Sequence, residues 1–473
     1  MAGRVSGANV SRPLFIGGTA SHVGKSWFTA AFCRLLLRRG ERVAPFKAQN
    51  MSNNSYPCVE GGEIGRAQAM QAEACRLPAM ADMNPVLLKP NSATGSQVVV
   101  QGKLWAELEA RDYYNHTERL LGLALESYGR LAAQFPRIVC EGAGSVAEVN
   151  LRERDITNLR FAERIGASVV LVADIERGGV FGSLVGTMDL LPPSQRALVR
   201  AFVVNRFRGD ISLFDSGVAF LEERLGIPCL GVFPLSRDIE LDEEDSLGID
   251  TAIAGDGRVA VVRSPRISNF TDFRALGAVD WIEMPSMRQY RIVFLPGSKN
   301  TIEDLNWLKE RGLDAWIRDQ RAGGALIVGI CGGYQMLGES VADPDGIESS
   351  FGSAAGLGLL PVRTVLRAPK VTRIVDAVTP GGVAFRGYEI HMGVTERLAD
   401  CAPFARFIEG GAEGARVAGV MGTYLHGAFD EPAVVKELLG LEIGLIDKNA
   451  MFDRLADWLV KHARPEVLER LLA

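Results

Sequence analysis

The sequence predicts an α/β protein of two doubly wound domains, each a largely parallel sheet with helices on both faces. Three observations lead there. Short apolar runs alternate with helical patterns along the chain of 473 residues, as strand, crossover helix and parallel strand require. Leu14-Phe15-Ile16 runs into a glycine-rich turn, Gly18-Thr-Ala-Ser-His-Val-Gly24-Lys25-Ser26. Ala325 to Val328 run into a second one, Gly329-Ile-Cys331-Gly-Gly-Tyr-Gln335. Glycine turns at strand ends are where open α/β sheets take their ligands.

In the first half the strand-like runs are 14–16, 42–45, 138–140, 169–173 and 202–205, with helical stretches between them. The segment 237–257 is acidic and then rich in glycine and aspartate, and it reads as a linker. A new series starts at Val259 and continues through 292–295, 325–330 and 417–424. The segment 339–359 is turn-rich and reads as a loop, and the helices from about 433 to 473 read as a C-terminal cap. The expected organisation is 1–236, a linker at 237–257, and 258–473 including the C-terminal helices.

Composition narrows the function classes. With 47% hydrophobic and 23% charged residues, the chain is an ordinary globular protein, and its net charge of −5 makes no electrostatic case for nucleic acid. No apolar stretch reaches the roughly 18–20 residues of a membrane span, and the N-terminus carries no signal-peptide core. Seven cysteines are scattered singly, which points to reduced thiols in a cytoplasm and against structural zinc. Cys33, Cys75, Cys140 and Cys229 read as small core residues.

The first glycine turn lies between strand and helix, so its backbone N–H groups are aimed at phosphate. Lys25 would neutralise terminal phosphates, and the Ser26 hydroxyl would reach Mg²⁺. Gly18, Thr19, Val23, Gly24, Lys25 and Ser26 are therefore the expected ATP site. Five residues separate Gly18 from Gly24, one more than the common pattern. Glu141, at the end of the strand 138–140, is the expected second Mg²⁺ ligand, with Asp174 as another candidate. Asn205 ends a further strand and is placed against the base. Lys47-Ala-Gln49-Asn50-Met-Ser52-Asn53-Asn54-Ser55 crowds amides, hydroxyls and a lysine after the second strand, a set suited to a polar substrate bearing carboxylates and amides. Asp155 is expected in a similar position.

Cys331 at a strand-to-helix turn is the thiol form of a nucleophile elbow. A helix N-terminus favours the thiolate. The chain has five histidines. His426, in Gly422-Thr-Tyr-Leu-His426-Gly, is the expected base, and His391 is its competitor. The N–H groups of Gly332 and Gly297 are the expected oxyanion donors.

These residues resemble a known combination. Gly-x-Cys331-Gly-Gly-x-Gln335 with a distant Tyr-Leu-His426-Gly is similar to a class I glutamine amidotransferase domain, flavodoxin-like in fold. The first glycine turn with Glu141-Gly-Ala-Gly144 resembles the dethiobiotin-synthetase type of P-loop NTPase-like domain, which carries the same extra residue. Together, in this order, they resemble the glutamine-dependent corrinoid amidases. Gln49-Asn-Met-Ser-Asn-Asn54, Glu63-Ile-Gly-Arg-Ala-Gln68 and Gly387-Tyr-Glu-Ile-His391 point to the branch that forms cobyric acid. The resemblance implies ATP- and glutamine-dependent amidation of four peripheral carboxylates of adenosylcobyrinic acid a,c-diamide. Ammonia released at Cys331 would attack an acyl phosphate. It also implies a departure, because this class places a glutamate two residues after the histidine and here that residue is Ala428. A Cys331–His426 dyad is the expectation, with Asp430 the nearest carboxylate.

Overall fold

The computed structural model of the protein describes residues 12–91, 95–236, 239, 255–349 and 351–473. The first half is built on six parallel strands in the order Cys229–Pro234, Val199–Phe207, Ser168–Asp174, Leu14–Gly18, Arg137–Glu141, Val43–Phe46. All five residues of Leu14–Gly18 are buried, as a central parallel strand demands. Neighbours 14–18 and 137–141 place the Gly18 turn and Glu141 side by side at the carboxyl edge of the sheet. The helix Lys25–Arg38 follows that turn and buries Phe28, Phe32 and Leu36.

A second, smaller sheet in this half was not legible from the alternation. It runs Gln49–Met51, Val86–Pro90, Gly95–Val100, Lys103–Glu109. It lines the space over the carboxyl edge.

The second half repeats the principle. Its sheet runs Asp280–Ile282, Val259–Val262, Ile292–Leu295, Leu326–Ile330, Val420–Thr423, Ala415–Val417, parallel except for the last edge strand. The expected single strand 417–424 is thus a hairpin, turned at Gly419, whose φ of 69° suits glycine. The expected loop 339–359 carries two short paired strands, Ser340–Ala342 and Ser353–Ala355.

The C-terminal helices Lys448–His462 and Pro465–Leu472 pack on the first half rather than capping the second. Phe452, Leu455, Trp458 and Leu459 share a core with Phe28, Phe32 and Phe233. Trp458 lies against Trp27, Phe28 and Phe233 at ring separations of 6.0, 5.5 and 4.8 Å. Buried Arg34 reaches Asp453 at 2.8 and 3.0 Å. Most of the expected linker, at 237–238 and 240–254, lies outside the described residues.

Candidate active sites

The Gly18 turn is built as its sequence requires. Gly24 sits at φ 104°, and a Cβ there would stand 2.3 Å from Asn205 Nδ2. A Cβ on Gly18 would stand 2.9 Å from the Lys25 side chain. Lys25 Nζ donates to the carbonyls of Ala20 and Gly144 at 2.9 and 3.0 Å, so its ammonium is held inside the turn. Thr19, Gly24, Lys25 and Ser26 line a cavity of about 720 Å³. Gly18, Val23 and Asn205 stand behind that lining. Asn205 donates to the Val23 carbonyl at 2.8 Å, bracing the turn.

Ser26 Oγ donates to Glu141 Oε1 at 3.0 Å. Lys47 Nζ reaches the same oxygen at 3.0 Å, and Gln71 Nε2 donates to Oε2. A hydroxyl and a carboxylate oxygen side by side are hard donors of the kind Mg²⁺ takes alongside phosphate and water. The pair fits that ion. Asp174 is turned to Arg206 Nη1 at 3.0 Å.

The polar run after the second strand is divided between two cavities. Lys47, Gln49, Asn50 and Asp155 line the large one. Asn53 lines a small cavity of about 30 Å³ shared with Cys331. Ser52 and Asn54 line neither: Ser52 Oγ accepts from the Asn54 N–H at 3.0 Å, which shapes the bend between them. Asp155 folds onto its own turn, accepting from the N–H groups of Thr157 and Asn158 at 2.8 and 3.1 Å.

Cys331 occupies the turn between Leu326–Ile330 and the helix Gly332–Leu337 at φ 51°, ψ −111°. Non-glycine residues hold such backbone only where the surroundings enforce it. Packing enforces it here: a Cβ on Gly333 would stand 2.0 Å from the Leu295 carbonyl oxygen, and one on Gly332 2.8 Å from Ser298 N. The Gly-Gly pair therefore lets the elbow seat against the neighbouring strand end. Gly297 and Ser298, in antiparallel pairing with Ser268 and Ile267, bring their backbone beside Gly332. Gln335 is fixed by Thr301 Oγ1, the Met392 carbonyl and Tyr424 Oη.

His426 is fully buried, and its Nδ1 lies 2.7 Å from Asp272 Oδ2. The other oxygen of Asp272 accepts from the Gly427 N–H at 2.9 Å. Burial pulls the His426 pKa down, but the adjacent Asp272 carboxylate and its hydrogen bond outweigh this, with Cys331 adding to them, and raise it to about 10. The carboxylate behind His426 is therefore Asp272 and not Asp430, the one the sequence offered. Asp430 lies elsewhere, 3.8 Å from Lys448 Nζ. The competitor His391 stacks on Tyr424 at 3.7 Å and stands 3.6 Å from Glu389, lining the small cavity without a carboxylate behind its ring comparable to Asp272.

Two further features went unread in the sequence. Asn269 joins the halves, as its Oδ1 accepts from the Ser55 N–H at 3.0 Å while Nδ2 lies 3.3 Å from His426 Nε2. Beside it, Glu63 pairs with Lys89 at 2.8 Å and with Lys370 of the second half. Despite its burial, those two ammonium groups hold the Glu63 carboxyl far below the usual carboxylate range.

Comparison with known proteins agrees with both halves. Residues 14–249 match the family described as a CobQ/CobB/MinD/ParA nucleotide binding domain. Residues 258–434 match the CobB/CobQ-like glutamine amidotransferase domain. The chain is 44% identical to a cobyric acid synthase of Parabacteroides distasonis, over 97% of this chain and 98% of that protein. It is 46% identical to one of Chlorobium phaeobacteroides, over 91% and 90%. A solved glutamine amidotransferase aligns with 42% of this chain and 100% of its own at 17% identity, with a TM-score of 0.31. Among the described residues no helix is long and apolar enough to cross a membrane.

Proposed function

The chain belongs to the cobyric acid synthase family, enzymes of glutamine-dependent amidation in cobalamin biosynthesis, and from that premise we propose how this molecule does the chemistry. The acceptor is adenosylcobyrinic acid a,c-diamide, and its b, d, e and g carboxylates become amides. The observation that carries the reading is the buried His426–Asp272 pair beside Cys331, in a chain whose other half opens a large cavity at Lys25.

Cys331 Sγ attacks the side-chain amide carbon of glutamine and its proton passes to His426 Nε2. The N–H groups of Gly332 and Gly297 face the oxyanion. Collapse of the tetrahedral species breaks the C–N bond, and His426 returns the proton to the departing ammonia. Water then hydrolyses the thioester to glutamate and restores the thiol. Asp272 fixes the ring through Nδ1 and stabilises the imidazolium that forms when Nε2 takes the Cys331 proton, the same effect that raises the histidine's pKa.

In the first half, Gly24, Lys25 and Ser26 hold the ATP phosphates. Transfer of the γ-phosphoryl group to a corrinoid carboxylate gives ADP and an acyl phosphate, and ammonia displaces phosphate from it. A carboxylate by itself is a poor acyl donor, and the acyl phosphate supplies a leaving group. Ser26 and Glu141 would hold Mg²⁺, which when bound offsets charge between the phosphates. Lys47, Gln49, Asn50 and Asp155 line the corrinoid side. The divisions 1–236 and 258–473 describe the two chemistries, with the helices after Lys448 serving the first by packing.

Mass spectrometry of the a,c-diamide after incubation with protein, glutamine, ATP and Mg²⁺ tests the reading. Each exchange of OH for NH₂ lowers the mass by about one unit, so stepwise losses up to about four are expected. Hydrolysis of glutamine with no change in the corrinoid would overturn the acceptor assignment.

A further inference from the structure

The large cavity has two chemically different walls. On one side stand Thr19, Lys25 and Ser26 of the phosphate turn. The other side is one face of the small sheet. Leu88 pairs across from Val98, and Ser96 across from Leu108, so these cross-strand partners share a face and line the cavity together. Tyr113 and Tyr114 continue this wall beyond the strand Lys103–Glu109, their ring centres 6.0 Å apart. Tyr113 Oη donates to Gln49 Oε1, which ties the first ring to the polar run.

The apolar wall lies where the terminal phosphate is handed on. Glu141 and Lys47 belong to or follow the strands on one side of Leu14–Gly18, whereas Asn205 and Arg206 end a strand on the other side. The small sheet starts directly after Lys47, at Gln49–Met51, so it stands on the side of the Ser26–Glu141 pair. A site that amidates several carboxylates of one ring in turn must accept that ring in more than one orientation. Apolar burial carries no direction and permits this, while a wall of hydrogen-bonding groups would favour a single pose.

Such a wall still needs a counter-charge for the carboxylates that are not reacting. Lys25, Lys47, Arg154 and Arg206 all line the cavity. Lys25 is turned to the carbonyls of its own turn, Lys47 to Glu141 and Arg206 to Asp174. Arg154 is exposed and lies over Tyr114, its guanidinium carbon 5.1 Å from the ring centre. An aromatic face holds the guanidinium plane while leaving its N–H edge open to a carboxylate. We propose that the Leu88–Leu108 face with Tyr113 and Tyr114 seats the corrin ring of the acceptor, and that Arg154 pairs with one of its carboxylates that is not reacting. This rests on the assignment of a corrinoid acceptor to this cavity.

The experiment follows ammonium-driven amidation of cobyrinic acid a,c-diamide by the full-length wild type, Arg154→Gln, Tyr114→Ala and Tyr114→Phe, varying the corrinoid and ATP in turn. Arg154→Gln is expected to raise the KM for the corrinoid about tenfold, the effect of one charge-assisted hydrogen bond, with kcat and the KM for ATP near wild type. Tyr114→Ala is expected to raise the corrinoid KM as well, and Tyr114→Phe, which keeps the ring, to restore it. A corrinoid KM unchanged in Arg154→Gln would overturn the inference. So would a rise confined to the KM for ATP, which would assign this wall to the nucleotide. A wild type that converts no a,c-diamide with ammonium would instead remove the acceptor assignment itself, and this inference with it.

Discussion

Asp272 and His426 are 154 positions apart in the chain, yet they meet at 2.7 Å with the ring fully buried. Replacing Asp272 by Asn substitutes a group able to donate to Nδ1 and so to reverse the tautomer. Glutamine-driven amidation should fall about 10²–10⁴-fold while ammonium-driven amidation persists. Asp430→Ala, on the Lys448 side, should leave both rates near wild type, and steady-state assays of the two variants with each nitrogen source check the assignment. Cys331 and His426 were legible because each sits in a short glycine-flanked motif at a strand end. Asp272 was not, because the segment Phe270–Leu276 that carries it is a 3-10 turn with no periodicity to mark it. It follows Ile267–Ser268, which pairs with Gly297–Ser298 in a two-stranded ribbon separate from the main sheet, and the 2.7 Å contact with His426 spans 154 positions. Asn269 is hidden for the same reason, as a polar turn residue whose contacts, Ser55 in the other half and His426 in its own, are both distant in sequence.

At the scale of elements, the parallel strands were readable because they are buried on both faces and appear as continuous apolar runs. The sheet Gln49–Met51, Val86–Pro90, Gly95–Val100, Lys103–Glu109 was not, because its last strand is half exposed and its polar residues face a cavity. The C-terminal helices were readable as helices, but their partner was not. An amphipathic face says that something is covered without saying what. Trp458 shows the answer in its contacts with Trp27, Phe28 and Phe233. Trp458→Ala should destabilise the first half by about 3–5 kcal/mol, the usual cost of emptying a large aromatic site. Denaturant unfolding followed at equilibrium measures it, and a change below about 1 kcal/mol would mean that these helices are not part of that core.

At the scale of the whole molecule, the halves meet across charged and polar groups that are themselves buried. Within the second half, Glu413 is buried against the end of Val420–Thr423, where it accepts from Thr423 Oγ1 and the Tyr424 N–H at 2.8 and 2.7 Å. Burial raises its pKa to about 8. An unfolded glutamate titrates near about 4.3, so between those values the folded protein keeps a proton that the unfolded chain has lost. Stability from this group is therefore full below about pH 4.3 and falls as pH rises through about 8. Glu413→Gln has no such proton to lose. Its melting temperature should rise relative to wild type across that window, and a gap that does not change with pH would contradict the burial argument. In the proposed scheme one chain runs two chemistries joined by ammonia. Cys331→Ala, supplied with ATP, Mg²⁺ and cobyrinic acid a,c-diamide, tests it most directly by mass spectrometry of the corrinoid. No amidation is expected with glutamine and amidation near the wild-type level with ammonium; loss of both in a variant that melts like wild type would contradict the two-site scheme.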